Sequence, residues 1–388
     1  MEKGENKIRP VPISIVRGGT SKGIFIMDDV LPKDPKERDR VILKIFGSPD
    51  IRQIDGLGGA DVLTSKLAVI GPGSGKKADV DYTFGQVSIT EPFIDYGGNC
   101  GNISSAVGGF AIDHGLVKAE EPYTTVRIRM TNTDRILKAV IPVRDGRAEV
   151  YGDYAIDGVP GTGAKVVLDW SDAAGGITGK LLPTGNAVDV VETEDGEYRV
   201  SVVDAGNVVI FAEAASLGID GTETPLEIEA DRALMARIEE IRGRVCEKLG
   251  LVSAWQEAKT VTPYQPFFAL VSRPKDHTCY NGVFVPERGA DLVARLVFML
   301  HMHKAYPITG TVATGAALCI PGSLVWDMMR EKDRKKTCFT IAHPSGTLSV
   351  EAAAKTDDCG NVKIARLVVA RTARTILDGT VYIKEDDN

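Results

Sequence analysis

The chain has 388 residues, 43% hydrophobic and 26% charged, with a formal net charge of −7. That length exceeds one ordinary hydrophobic core, so two domains are expected. The acidic balance leaves no basic footprint for nucleic acid, and no apolar run approaches membrane-spanning length, so neither partner is expected.

The 41 glycines predict many tight turns and places where backbone approaches a ligand closely. The six cysteines are Cys100, Cys246, Cys279, Cys319, Cys338 and Cys359, with no CxxC pair. Such scatter predicts neither a disulfide scaffold nor a structural zinc site. Met1–Lys7 lacks the apolar core of a signal peptide, so a reducing cytoplasm is the simplest home.

In chain order, Val11 to Val16 reads as a strand and Arg17–Gly23 as a polar glycine loop. Ile24–Met27 returns as a strand. A helix follows, with Asp34 as N-cap, Pro35 at the first position and Glu37 completing a capping box. Val41, Ile42, Ile45 and Phe46 form its apolar face, and Gly47 stops it. Gly56–Ala60 is a loop leading through Thr64, Ser65 and Lys66 into the strand Leu67 to Ile70. Val80 to Ile94 alternates loosely, as a strand does.

Asp95–Gly108 is the centre of the first half: a glycine-rich turn that opens a small-residue helix continuing through Phe110, Ala111 and Ile112. First-turn N–H groups of a helix are unsatisfied and partly positive, so they receive anions. Cys100 sits at that turn, where a thiol has more thiolate character. The stretch thus offers a carboxylate cradle and a proton carrier; a tight turn with a small buried cysteine is the alternative.

Strands are expected at Val126 to Met130, Ile136 to Val143 and Ala148 to Tyr151. The region from 150 to 190 has little periodicity, and the domain crossing is placed near its end: 1–185, then 186–388, with room for the last strand to return to the first domain. In the second half, strands are expected at Ala187–Val191, Tyr198–Val203 and Val208–Phe211. Helices are expected at Asp231–Leu249 and Ala290–His303, and another opens at Thr309 to Ala317, with Cys319 inside it. Four strands close the chain: Cys338–Ile341, Leu348–Ala352, Lys363–Ala370 and Thr372–Ile383. A weak repeat emerges. The glycine loop and strand at 18–25 are echoed at 205–211, and the Cys100 turn-helix is echoed at 309–317, which suggests a ligand held between two similar halves.

Arg17–Gly23, Gly58-Gly59-Ala60 with Thr64-Ser65-Lys66, Gly98-Asn99-Cys100-Gly101-Asn102 and His343-Pro344-Ser345-Gly346 together resemble the PrpF family. These are isomerases of unsaturated di- and tricarboxylic acids, of 2-methylaconitate, methylitaconate and 4-oxalomesaconate type. The resemblance implies an α+β fold like that of diaminopimelate epimerase: two similar domains, each a mixed β-sheet wrapped around a central helix, with the active site in the interdomain cleft. In that epimerase each half supplies a cysteine at its helix N-terminus. Cys100 matches the first, but Val312–Ala316 offers no second, which argues against a two-thiol racemase. The resemblance instead implicates a lysine, and it falls on Lys66.

Moving a double bond along an unsaturated acid needs proton removal and return, with cations or N–H donors on the carboxylates. Lys66 and Cys100 are the expected catalytic pair. Arg17, Thr20, Ser21, Lys22, Ser65, Asn99, Gly101, Asn102, Asn207, Thr311 and Ser345 are the candidate substrate-binding residues. For Lys66 the alternative is a lysine snorkelling from a strand end; for the others it is turn chemistry.

Other motifs fail. Gly71 to Lys77 has the wrong spacing for a phosphate loop, and no GxGxxG follows a strand. His301 and His303, two apart, do not share a helix face. No metal or organic cofactor is expected. The sequence leaves a homo-oligomer open, and it leaves two rival functions: an amino-acid epimerase or racemase of the same fold, or a non-catalytic carboxylate-binding accessory protein.

Overall fold

Strand follows strand in an order that occurs twice in the computed structural model, which describes residues 8–75, 77–357 and 361–385. Met1–Lys7, read above for a leader, and Cys359 lie outside the described residues. In the first half, Ile8–Gly18 is antiparallel to Ser21–Met27, which is parallel to Lys66–Pro72. Lys66–Pro72 is antiparallel to Val80–Val87, which is parallel to Tyr123–Met130. Arg135–Arg144 and then Val166–Asp169 add on antiparallel.

The second half repeats this alternation with Gly196–Ala205, Asn207–Glu213, Phe267–Ser272, Leu292–Phe298, Cys338–His343, Gly346–Thr356 and Val362–Arg371. Val166–Asp169 pairs with Val362–Arg371, so both sets belong to one continuous mixed sheet. The terminal strand Ala373–Lys384 lies antiparallel along Ile8–Gly18.

Parallel neighbours need a crossover, and helices supply it. Pro35–Phe46 links the second and third strands of the first half, and Arg232–Lys248 helps link those of the second. Both are amphipathic and cover the outer face of the sheet: Val41, Ile42, Ile45 and Phe46 on one, Leu234, Ile238, Ile241 and Val245 on the other. Asp34 Oδ1 accepts from Glu37 N at 2.9 Å, a cap worth about 1 kcal/mol, and Gly47 ends the helix at φ 73°.

The central helices are Gly101–Asp113 and Ile308–Ala317, each between the fourth and fifth strands of its half. They are apolar or small on nearly every face, as a helix enclosed by sheet must be. Their few hydroxyls are satisfied internally: Ser104 Oγ donates to Cys100 O at 2.9 Å, and Thr311 Oγ1 to Pro307 O at 2.9 Å. One core runs through both halves, from Phe25, Phe84 and Val107 to Phe267, Ile308 and Val350. A mixed sheet wrapped around central helices is the expected α+β fold.

The expected helix over Ala290–His303 is instead the strand Leu292–Phe298 and the short strand His301–Met302. All seven residues of the longer strand are buried, so the run shows no period to separate helix from strand. Met299 and Leu300, at φ 49° and 61°, then turn the chain back on itself. The same lack of period hid Phe267–Ser272, six buried residues in a row. Ala148–Tyr151 is a strand only as Arg147–Ala148, and Val80 to Ile94 breaks into Val80–Val87 and Ile94–Asp95. Cys319 lies just beyond the helix end, not within it.

Candidate active site

Cys100 is the N-cap of the first central helix, and its side chain makes no capping bond. The thiol therefore sits, buried, at the positive end of the helix without capping it. Gly101 follows because the second central helix abuts here: a Cβ on Gly101 would lie 2.5 Å from Ile308 Cγ2 and 3.1 Å from the Trp170 ring. The two helix N-termini thus meet across the halves. Asn99 and Asn207 tie the junction. Asn99 N–H donates to Asn207 Oδ1 at 2.9 Å, and Asn207 Nδ2 donates to Asn99 O at 3.0 Å and Thr309 Oγ1 at 2.9 Å. Tyr264 OH also donates to Asn99 O at 2.8 Å.

Lys66 is the first residue of its strand, opposite Gly23 on one side and Gln86 on the other. Its side chain is buried, with the residue 3% exposed. Nζ donates to Gln86 Oε1 at 2.6 Å. The Gln86 amide is oriented for this because its Nε2 donates to Ser65 O at 2.9 Å and Val62 O at 3.2 Å. The Phe84 and Phe298 rings lie 5.4 and 5.5 Å from Nζ. Burial pushes the amine below the ordinary lysine range, opposed by Cys100 and Asp61; Cys100 is within hydrogen-bonding reach of the amine.

Further buried groups converge on the same place. His303 packs on Phe298 and accepts Ala305 N–H at Nδ1 over 3.0 Å, which leaves its ring proton on Nε2. Burial, then the Lys66 charge, hold its pKa down at about 3. His343 likewise accepts Ser345 N–H at Nδ1, and burial followed by Arg371 keeps it well below the ordinary histidine value. Both imidazoles are neutral at neutral pH. Lys304 crosses between halves to Asp61 at 2.6 Å.

The expected binding residues divide. Thr20 and Asn102 meet: Asn102 Nδ2 donates to Thr20 Oγ1 at 3.2 Å. Ser21 is buried, and its Oγ has no partner among the described residues. Ser345 stands at the tip of the His343–Gly346 turn with Oγ donating to Lys304 O. Others are occupied by structure. Arg17 Nη1 donates to Gly19 O and Thr372 O, bracing the Gly19–Thr20 turn. Ser65 Oγ accepts from Gln53 and donates to Val87 O. Thr311 is fully buried and bonded within its helix. Lys22 is part-exposed and alternates with buried Ser21, so it faces away from the site.

The sequence reading missed Gln86, His303 as a site residue, His343 as a chemical group, and Arg371. Gln86 is one alternating polar residue in a strand, with no spacing signal. Arg371 was visible as a charge ending the apolar run Leu367–Ala370. His301 and His303 lie on and just after a short strand, one exposed and one buried, and do not form a pair. Among the described residues no group of three or more His, Cys, Asp or Glu side chains is placed to hold a metal ion.

The site can be set beside known proteins. The 3-methylitaconate isomerase of Eubacterium barkeri is 50% identical over 376 residues, covering 97% of each chain. The 4-oxalomesaconate tautomerase of Pseudomonas putida is 40% identical over 377 residues, again covering 97% of each. A crystal structure of methylitaconate-delta-isomerase superposes with a TM-score of 0.80 at 49% identity, covering 97% of this chain and 96% of that one. A hydroxyproline epimerase from Agrobacterium vitis shares the fold, with a TM-score of 0.55 at 15% identity over 98% of this chain and 94% of its own. The PrpF protein family profile matches residues 8–384. With a thiol at a helix N-terminus, a dehydrated lysine beside it and these relatives over nearly its whole length, the chain belongs to the PrpF family and is an isomerase.

Proposed function

We propose that this isomerase shifts a double bond within an unsaturated di- or tricarboxylic acid by moving a proton between two carbons. The observation that carries the reading is the buried Lys66 amine within reach of Cys100 at a helix N-terminus. Dehydration favours the neutral amine, so Lys66 is the base that removes a proton from the carbon next to the alkene. The electron pair left behind spreads into the conjugated carboxylate, where helix N–H groups and nearby cations stabilise it. Cys100 returns a proton to the far end of the system, and the Lys66 ammonium then reprotonates the thiolate, restoring both groups.

The named relatives favour a methylitaconate-type acid, with 2-methylaconitate and 4-oxalomesaconate types next. An epimerase is disfavoured because Pro307 caps the second central helix where Cys100 caps the first. The free described cysteines suit a reducing cytoplasm; a crossing between halves near residue 185 remains part of this reading. Proton NMR in D2O tests the function over methylitaconate, 2-methylaconitate, 4-oxalomesaconate and the two aconitates. The expected result is isomerisation of at least one acid with solvent deuterium at carbon. A carboxylate-binding protein gives neither.

A further inference from the structure

Beside the Lys66–Cys100 site lies a cavity of about 160 Å³, bounded by Thr20, Tyr154, Asp157, Tyr306, His343 and Arg371. It draws on both halves: the first hairpin turn, the approach to the second central helix, and the end of the Val362–Arg371 strand. Arg371 is its unusual member. The residue is 4% exposed, yet Nη1 donates only to the adjacent Ala370 O, at 2.9 Å, and Nε has no partner among the described residues. No carboxylate lies within ion-pair distance of it among the described residues. Asp157 is nearby, but its Oδ2 is taken by the Thr347 N–H. Burial, which lowers the guanidinium pKa to about 10, still leaves it charged at neutral pH.

A buried guanidinium that makes no direct ion pair, its charge offset only by the more distant Asp157, opposes folding, so its retention points to an anion that arrives later. The surroundings hold Arg371 ready for one. Arg17 Nη1 and Gly19 N–H both bind Thr372 O, fixing the turn beside it. Gly19 lets Asn102 and Arg371 close on the turn, since a Cβ there would sit 2.1 Å from Asn102 Oδ1 and 3.3 Å from Arg371 Cδ. Ser345 fixes His343 with its ring proton on Nε2, a donor. His303, two residues before Ala305 on the cavity wall, is close enough for both the Lys66 and Arg371 charges to act on it.

We propose that Arg371 anchors the substrate carboxylate that takes no part in the double-bond shift, in the cavity it shares with Thr20 and His343. This rests on the polycarboxylate reading of the site. The planar guanidinium suits a carboxylate through two parallel N–H bonds, and it makes the distal acid group a condition of good binding.

The test is calorimetric titration with methylsuccinate, an unreactive saturated diacid, with its two monoamides and with inorganic phosphate. The wild-type protein should bind the diacid roughly 10–100-fold more tightly than one of the monoamides, the scale of a lost charge-assisted contact. Arg371→Gln should bind the diacid and that monoamide alike, and Arg371→Lys should recover part of the difference. Unliganded Arg371→Gln should melt no lower than wild type, because it removes an unpaired buried charge; a structural arginine would give a lower melting temperature.

An Arg371→Gln variant that keeps the wild-type preference overturns the proposal. So does phosphate binding that the variant loses while diacid affinity is unchanged. Should Arg371→Gln fail to fold, a wild-type protein indifferent to both monoamides overturns it as well. Turnover in D2O is measured separately, so failure of the isomerase reading appears there and failure of the anchor appears here.

Discussion

The two halves share a backbone plan and differ in the side chains at its matching positions. Lys66 opens the third strand of the first half opposite Gly23; Phe267 opens the matching strand of the second, opposite Val209. Gln86, near the end of the fourth strand, binds the amine, whereas Phe298 ends the corresponding strand and packs on Phe267 at 5.8 Å. Cys100 caps one central helix and Pro307 the other. The second half therefore brings no proton carrier to these positions. It brings a dry wall, for Phe298 reaches within 5.5 Å of Lys66 Nζ. On the proposed reading both proton carriers lie in one half, which suits a reaction in which the proton leaves and returns at different carbons.

The largest effect should come from removing the reactive half's carriers. Lys66→Ala and Cys100→Ala should each lower kcat by at least ~10²-fold, the usual scale for a positioned acid or base, with KM less affected. Circular dichroism establishes that each variant is folded. Near-normal turnover by folded Lys66→Ala would leave Lys66 a charge-balancing residue.

Exchanging the polar partner of Lys66 should sharpen the contrast with Phe298. Burial lowers the amine pKa, so the rising limb of the pH–rate profile should lie below the ordinary lysine range. Gln86→Glu sets a carboxylate against the ammonium and should move that limb to higher pH, with about tenfold less activity at neutral pH for each unit moved. Gln86→Leu removes the acceptor and should move it the other way. A limb that ignores both substitutions would show that Lys66 is not the titrating base.

The second half's neutral histidines should be visible in stability. His303 in the folded chain titrates at about 3, below the unfolded value of about 6.5. Between those values the unfolded chain binds more protons, so stability should fall as pH drops from about 6.5 towards 3. His303→Gln should flatten that slope in denaturant titrations. An unchanged slope would place the acid sensitivity elsewhere, with His343 the next group to test.

The smallest effect belongs to the pair that crosses between halves. Lys304→Met should cost no more than about 1 kcal/mol in urea unfolding, because the Lys304–Asp61 pair is part-exposed and screened. A larger loss would mean that this contact holds the halves together more than the continuous sheet does.

The sequence made the repeat visible only where it is marked by glycine turns and small-residue helices, at Gly18–Phe25 with Ala205–Phe211 and at Cys100 with Thr309. Lys66–Pro72, legible as a strand over Leu67 to Ile70, has no visible match in Phe267–Ser272, because the latter is buried at every position and shows no alternation. Leu292–Phe298 read as helix for the same reason. Within the site, Lys66 stood out only through its resemblance to a family motif. Gln86, His303 and Arg371 come from separate strand ends that the sheet brings together, and such proximity over a long separation leaves no local signal. Arg17 and Ser65 attracted attention as polar residues beside glycine turns, and their hydrogen bonds are those of turn and strand support.

The central claim is that Lys66 and Cys100 act as one unit in the first half. It is tested most directly by a double-mutant cycle on kcat/KM with the acid that turns over best in D2O. The account predicts that Lys66→Ala with Cys100→Ala loses far less than the product of the two single losses, because either deletion already breaks the same proton path. Losses that multiply fully, in folded variants, would contradict it.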